Sequence, residues 1–98
     1  MSDEEKQAVR TIVDRAIAKG ASLCVYDGEE YALMHSKDAD EVMAALFACE
    51  IEWLEVWDAK GERRTGTIMF VYGNAPDEVV CDCTDKPEIL EICGLEDF

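Results

Sequence analysis

The sequence predicts a single α+β domain over residues 1–98, with an antiparallel sheet of about five strands and the element order α-β-β-α-β-β-β-α. Two patterns predict this fold. Apolar residues recur at helical spacing in three segments and at alternate positions in five others. The connections between the alternating segments are short and rich in turn-forming residues, which favours antiparallel pairing and leaves no linker between domains.

The first segment predicts a helix that begins after Ser2 and ends at Gly20. Ser2 followed by Glu5 is a capping box, in which each side chain accepts a hydrogen bond from the other residue's backbone. Gly20 is the residue type with which many helices end, because it adopts the left-handed conformation without strain. The apolar stripe between these signals consists of Val9, Ile12, Val13, Ala16 and Ile17.

Residues 21–36 predict a β-hairpin with Asp27-Gly28 in its turn. These two residues favour the left-handed conformations that a tight hairpin turn needs. On the second strand of the hairpin, alternation places Tyr31, Leu33 and His35 on one face.

A second capping box, Asp38 with Glu41, predicts a short helix that ends near Cys49. From Ile51 the apolar pattern alternates again and predicts a strand. One face of this strand carries Leu54 and Val56. The other face carries Ile51, Trp53, Glu55 and Trp57.

Two more strands and a helix complete the predicted fold. Residues 65–72 are the most apolar segment and predict a central strand with both faces covered. Residues 79–84 predict a short last strand. Asp85 with Glu88 predicts a third capping box and a final helix that ends at Gly94.

The charge balance excludes several function classes. With 23 acidic and 9 basic residues the formal net charge is −14, so the chain lacks the basic surface that grips nucleic-acid phosphates or anionic lipids. It also has no run of about 20 apolar residues, which a membrane-spanning helix needs. The chain begins Met1-Ser2-Asp3, acidic where a signal peptide is basic, so we expect a cytoplasmic protein.

The acidic residues are concentrated in residues 27–58 and 77–98, which hold 18 of the 23 acids and 2 of the 9 bases. A one-sided negative surface attracts basic surfaces and accelerates their encounter. We therefore expect a non-enzymatic inhibitor that occludes the nucleic-acid-binding groove of a basic partner protein. The expected contact residues are Glu29, Glu30, Glu52, Trp53, Glu55, Trp57, Asp58, Asp77 and Glu78. The alternative is that the charge only keeps the protein soluble or reflects a halophilic origin.

Trp53 and Trp57 carry a second alternative. If every helix packs on the face of Leu54 and Val56, the opposite face presents both tryptophans beside Glu55. Such a face suits a partner or closes a homodimer, because Trp anchors many interfaces. If helices cover both faces, the tryptophans belong to the core instead.

Five cysteines without a secretion signal predict reduced thiols. Cys81 and Cys83 lie on one face of the predicted last strand, and Cys24 or His35 from the hairpin would have to join them in a metal site. Cys-x-Cys is shorter than the usual zinc-ligand spacing, so we expect packed thiols, no metal and no cofactor. A thiol-based metal or redox protein is the third alternative.

Catalytic motifs are not found in the sequence. It contains one histidine, His35, and neither a nucleophile elbow nor a glycine-rich phosphate loop. The many carboxylates do not single out a catalytic pair, because an acid-base site depends on pKa shifts that a sequence does not show. An enzyme is therefore the least supported class.

Three short patterns stand close together towards the end of the chain: Tyr-Gly-Asn, Asp-Glu-Val and Asp-x-Thr-Asp. They lie in the segment Gly73-Asn74-Ala75-Pro76-Asp77-Glu78-Val79-Val80-Cys81-Asp82-Cys83-Thr84-Asp85 and the tyrosine before it. From about Asp38 to Ile92 the chain resembles small uncharacterised proteins of bacterial phages and mobile elements. In size and acidity it is similar to phage-encoded inhibitors of host defence, including anti-CRISPR proteins. This likeness implies a protein partner and transfers no site residue.

Overall fold

A computed structural model describes residues 2–95 and confirms the predicted class and element order. The three helices are α1 (Asp3–Ala18), α2 (Ala39–Ala45) and α3 (Pro87–Cys93). The five strands are β1 (Ser22–Tyr26), β2 (Tyr31–Ser36), β3 (Ile51–Trp57), β4 (Arg64–Val71) and β5 (Val80–Cys83), with a 3-10 helix at Pro76–Glu78 before β5. They form one antiparallel sheet in the order β2-β1-β3-β4-β5.

All three helices pack against the same face of the sheet and form one core with it. On this covered face the inward residues of the central strands include Leu23, Leu54 and Phe70, which have no exposed surface. Ile89 and Ile92 of α3 join the same cluster as the stripe of α1. The opposite face of the sheet carries no described helix, and we call it the open face.

Helix α1 has the predicted ends. The Ser2 Oγ accepts a hydrogen bond from the Glu5 N–H at 3.2 Å, and the Glu5 carboxylate accepts one from the Ser2 N–H at 3.3 Å, which is the capping box. Gly20 follows the helix with φ +86°, a conformation that glycine adopts without steric cost. Both ends of this helix therefore follow from residues within it or next to it.

The other two helices differ from the prediction at their ends. The side chain of Asp38 caps α2, but the predicted box with Glu41 is incomplete because the Asp38 N–H donates to Ser36 Oγ at 3.1 Å. The helix stops at Ala45, four residues before Cys49. It stops early because Phe47 turns to φ +70°, where its N–H bonds a carboxylate of β3. The third capping box is wrong: α3 begins after Lys86, and no side chain of the described residues caps its first turn.

Strand β2 corrects the prediction that Tyr31, Leu33 and His35 share one face. Its pairing with β1 contains two irregularities, because Leu33 faces Val25 while Tyr31 faces Tyr26. Leu33 therefore packs against the core, whereas Tyr31 and His35 lie on the open face. Each bulge adds a residue that shifts the alternation, and His35 has the left-handed φ of +53°.

The sequence predicted that both faces of strand β4 are covered, and the structure contradicts this. Ile68 and Phe70 are fully buried on the covered face, but Thr67, Met69 and Val71 between them are only half-buried. The strand is as apolar as a central one, yet only one of its faces meets a helix. Met69 and Val71 are therefore apolar residues on the open face.

Candidate protein-binding surfaces

Antiparallel pairing brings several acidic segments to one end of the sheet. Strands β1 and β4 end where β2, β3 and β5 begin, so the β1–β2 loop, the start of β3 and the β4–β5 loop share that end. Helix α1 begins there too, because the Gly73 N–H donates to Glu5 Oε2 at 2.8 Å. Charges that are far apart in sequence therefore lie on one side of the molecule.

We call this side the acidic end. Among the described residues it holds ten acids and one base, Lys6. The acids are Asp3, Glu4, Glu5, Asp27, Glu29, Glu30, Glu50, Glu52, Asp77 and Glu78. The sequence prediction omitted Asp3 and Glu4, because α1 is nearly neutral over its whole length, although three of its four acids lie in the first turn.

The opposite side, which we call the mixed end, is almost neutral. Within residues 2–95 it carries six bases: Lys19, Lys37, Lys60, Arg63, Arg64 and Lys86. The described acids at this end number eight: Asp38, Asp40, Glu41, Asp58, Glu62, Asp85, Glu88 and Glu91, the last of which pairs with Lys19 at 2.8 Å. The negative charge of the chain is therefore polarised along the strand direction.

Glu52 belongs to the interior and is not presented to a partner, contrary to its place in the predicted contact set. It is 1% exposed on the covered face. Its carboxylate accepts hydrogen bonds from the Phe47 N–H at 2.7 Å, the Ala48 N–H at 3.2 Å and the Tyr72 hydroxyl at 2.9 Å. Burial, followed by this carboxylate, raises the pKa of Tyr72, because ionising the phenol would add a second buried negative charge.

Glu5 is also internal, which leaves eight acids on the surface of the acidic end. Only 3% of Glu5 is exposed, and the hydrogen bond from the Gly73 N–H holds its pKa below the usual value for a glutamate. Its charge links the first turn of α1 to the end of β4. This carboxylate is therefore a structural group.

Glu29 and Glu30 are exposed at the tip of the β1–β2 loop, as predicted. Asp27 shapes this loop, because its Oδ1 accepts from the N–H groups of both glutamates at 2.8 Å. The bonds from Glu30 and Glu29 lower the pKa of Asp27. The loop therefore keeps a charged turn residue beneath two outward carboxylates.

Asp77 and Glu78 are exposed on the 3-10 helix that packs against α1. They share the acidic end with Glu29 and Glu30 but lie towards the other edge of the sheet, between β4 and β5. Asp58 does not join them. It lies in the β3–β4 turn at the mixed end, where its Oδ1 accepts from the Glu62 N–H at 2.9 Å, and that bond lowers its pKa.

Trp53 and Trp57 lie on the open face of β3, and each is half-buried among its neighbours. The ring of Trp53 is 6.0 Å from that of Tyr26, and the ring of Trp57 is 4.9 Å from that of His35. A shallow groove of about 210 Å³ runs beside Trp53 between β4 and β5. Of the two alternatives that the sequence left open, the structure shows the one in which the described helices cover a single face, but both tryptophans on the other face are half-buried rather than fully exposed.

Glu55 lies between the tryptophans but is 4% exposed, so it is not an outward charge. Its carboxylate accepts from the Tyr31 hydroxyl at 2.8 Å, from Trp57 Nε1 at 3.0 Å and from Arg64 Nη1 at 3.4 Å. The hydrogen bond to Glu55 raises the pKa of Tyr31. This network joins β2, β3 and β4 across the open face.

Cys24 and His35 meet on the open face, with 3.7 Å between Sγ and Nδ1. Cys24 has no exposed surface, and burial raises the pKa of its thiol. A nucleophilic cysteine needs an accessible thiolate. This pair therefore lacks the properties of a Cys-His nucleophile.

Cys81 and Cys83 do not share a face, contrary to the prediction. Cys81 is the additional residue of a bulge between Val80 and Asp82 and is exposed, whereas Cys83 packs towards the core. Burial, and next the neighbouring Cys83, raise the pKa of the Cys93 thiol to about 12. Within residues 2–95, no cluster of three or more His, Cys, Asp or Glu side chains has the arrangement of a metal site.

No helix of residues 2–95 combines the length and the apolar composition that crossing a membrane requires.

Comparisons of the chain with protein-family models, with curated proteins and with solved structures found no match. The acidic end and the open face are therefore the two surfaces of this fold that suit a binding partner.

Proposed function

We propose that this chain is a non-enzymatic binding protein that docks its acidic end on the basic, nucleic-acid-binding groove of a partner protein. By occupying that groove it keeps nucleic acid out. The observation that carries this proposal is the polarised charge of the described residues: ten acids, eight of them on the surface, and one base at the acidic end, against eight acids and six bases at the mixed end.

The eight surface carboxylates of the acidic end are presented by three loops of one five-stranded sheet and by the start of α1. Five strands spaced about 4.8 Å apart make this end roughly 20 Å wide. Duplex DNA carries one phosphate charge per about 1.7 Å of axis, or about twelve over that distance. The acidic end thus offers a charge density of the same order as the ligand that it would replace.

Such a surface binds a basic groove quickly and loses affinity as salt screens the charges. The proposed role is of the type performed by phage-encoded inhibitors of host defence, which the chain resembles in size and acidity. The partner is a cytoplasmic protein that handles nucleic acid, and the chain itself does not bind nucleic acid or membranes.

The test is an affinity capture from bacterial lysate with matched variants. The first variant carries Glu29→Gln, Glu30→Gln and Glu78→Gln at the acidic end. The control variant carries Glu62→Gln, Asp85→Asn and Glu88→Gln, which remove three exposed charges from the mixed end.

At about 50 mM salt we expect the natural chain and the control to retain nucleic-acid-binding proteins that added duplex DNA or RNA displaces. The acidic-end variant is expected to lose them. Retention of the same proteins by both variants, or no displacement by nucleic acid, would show that the charge serves solubility alone.

A further inference from the structure

The open face does not have the composition of a sheet surface in water. Antiparallel sheets with one solvated face alternate apolar residues with polar ones. Here the outward row of β3 contains Ile51, Trp53 and Trp57, and that of β4 contains Met69 and Val71. Among the described residues, three large apolar side chains are strongly exposed. Two of them lie on this face: Ile51, which is 40% exposed, and Tyr31, which is 43% exposed.

The open face is also poor in charge, although 33% of the residues in the chain are charged. Among the described residues, the charged side chains placed on it are Glu55, Arg64 and Asp82. Glu55 and Arg64 form an ion pair at 3.4 Å, and Asp82 lies on the edge strand β5. The face is therefore nearly neutral in a chain of net charge −14.

The size of the open face fits one complete protein interface. Five strands of about six residues cover roughly 500 Å² in projection, and the side chains that stand on them present more. A standard interface buries about 800 Å² per partner. A surface of the same shape and size is present on every other copy of this chain.

We propose that a second copy of this chain covers the open face, so that two sheets pack face to face around a two-fold axis. The charge distribution also selects the orientation. With the strands of the two copies antiparallel, the acidic end of each copy lies beside the nearly neutral mixed end of the other. The parallel orientation would bring two acidic ends together.

In this dimer the two sheets lie about 10 Å apart, with Trp53 and Trp57 of both copies at the centre. These are the two tryptophans of the chain, so their fluorescence reports on the coverage of the open face. Both acidic ends stay accessible at opposite edges of the sandwich. The dimer is therefore compatible with the proposed function and does not depend on it.

The experiment combines sedimentation velocity with tryptophan emission over a dilution series of the full chain. We expect twice the chain mass of 11.0 kDa at high concentration, and a red shift of the emission that follows dissociation on dilution. A mass of one chain with constant emission at every concentration would overturn the proposal.

Two variants locate the interface. Trp53→Ala removes a central contact, and Met69→Lys places a charge on the open face, where Asp82 can pair with it. Both are expected to weaken dimerisation at least tenfold, while circular dichroism shows the native fold. The control Ala44→Lys adds the same charge on the exposed side of α2 and is expected to dimerise normally.

If Trp53→Ala unfolds, Met69→Lys alone decides the result. A folded Met69→Lys variant that dimerises like the natural chain would place any dimer contact elsewhere and reject this interface.

Discussion

The two faces of β3 each hold a buried glutamate, and the two carboxylates are stabilised in different ways. Glu52 lies on the covered face, and its partners are two backbone N–H groups and the buried Tyr72. Glu55 lies on the open face, and its partners are side chains that themselves reach the surface, among them Tyr31 and Arg64. Glu52 is therefore part of the core, whereas Glu55 loses its remaining contact with water only if a partner covers the open face.

Because of this difference, Glu52 and Glu55 are expected to affect different properties: the stability of the fold and the association through the open face. Truncating a residue that satisfies buried donors costs the desolvation of every donor left behind, whereas donors near the surface recover water. We therefore expect changes around Glu52 to act on the fold of each chain, and changes around Glu55 to act mainly on the open face and its association. The following predictions test that distinction, from the largest effect to the smallest.

The largest effect is expected for Glu52→Ala, which leaves the N–H groups of Phe47 and Ala48 and the Tyr72 hydroxyl without their acceptor. We expect a loss of about 3–5 kcal/mol in the free energy of unfolding, measured by urea denaturation. The control Glu50→Ala removes an exposed carboxylate nearby and should change stability by less than about 0.5 kcal/mol. Equal effects of the two substitutions would contradict the internal role of Glu52.

The second-largest effect is expected at alkaline pH, which lowers the free energy of unfolding through Tyr72 on the covered face. The folded protein raises the pKa of Tyr72 above the ordinary value of about 10, so the unfolded chain loses this proton first. The stability that Tyr72 contributes is complete below pH 10 and decreases as the pH rises further. Thermal unfolding between pH 9 and 11 measures it, with Tyr72→Phe expected to show a lower but flatter profile. The same slope in Tyr72→Phe as in the natural chain would assign the pH dependence to other groups.

A smaller loss, about 1–2 kcal/mol, is expected for Glu55→Gln, because the amide keeps one acceptor oxygen and the released donors lie near solvent. Urea denaturation at one fixed protein concentration measures the loss, since dimer stability depends on concentration. Tryptophan emission of the same samples should shift, because Trp57 Nε1 donates to this carboxylate. A loss as large as that of Glu52→Ala would remove the contrast between the faces.

The smallest effect is expected for Tyr31→Phe, which removes one hydrogen bond from Glu55 at a side chain that is 43% exposed. We expect about 0.5 kcal/mol or less in denaturation, against about 1–2 kcal/mol for the matched change Tyr72→Phe at pH 7. The two substitutions delete the same hydroxyl and differ only in the face on which it lies. A reversed order would show that the open face carries more of the chain's stability than its exposure indicates.

The sequence alone predicted the features that depend on neighbouring residues. The capping box of Ser2 and Glu5 is a contact over three positions, and the alternation along β3 places Leu54 and Trp53 on opposite faces of any strand. These features are local, because they follow from the period of one element. The alternation along β3 also places Glu52 on the face of Leu54. The predicted contact set nevertheless put Glu52 on the surface, because glutamate is charged.

The errors concern features whose cause lies elsewhere in the chain. The face of Leu33 depends on bulges in the pairing with β1, and the early end of α2 depends on a carboxylate of β3. Asp58 and Glu29 both follow strands in acidic stretches, yet antiparallel pairing sends their loops to opposite ends of the sheet. Neither result follows from the composition of the segment itself.

By itself, then, the sequence determined the order of the elements, the two faces of β3 and the total charge of −14. The tertiary structure decided which of these charges are buried, which share the acidic end and which sheet face stays open. The physical reason is range. Periodicity and capping act over a few residues, whereas strand pairing joins positions far apart along the chain and so controls where each charge lies in space.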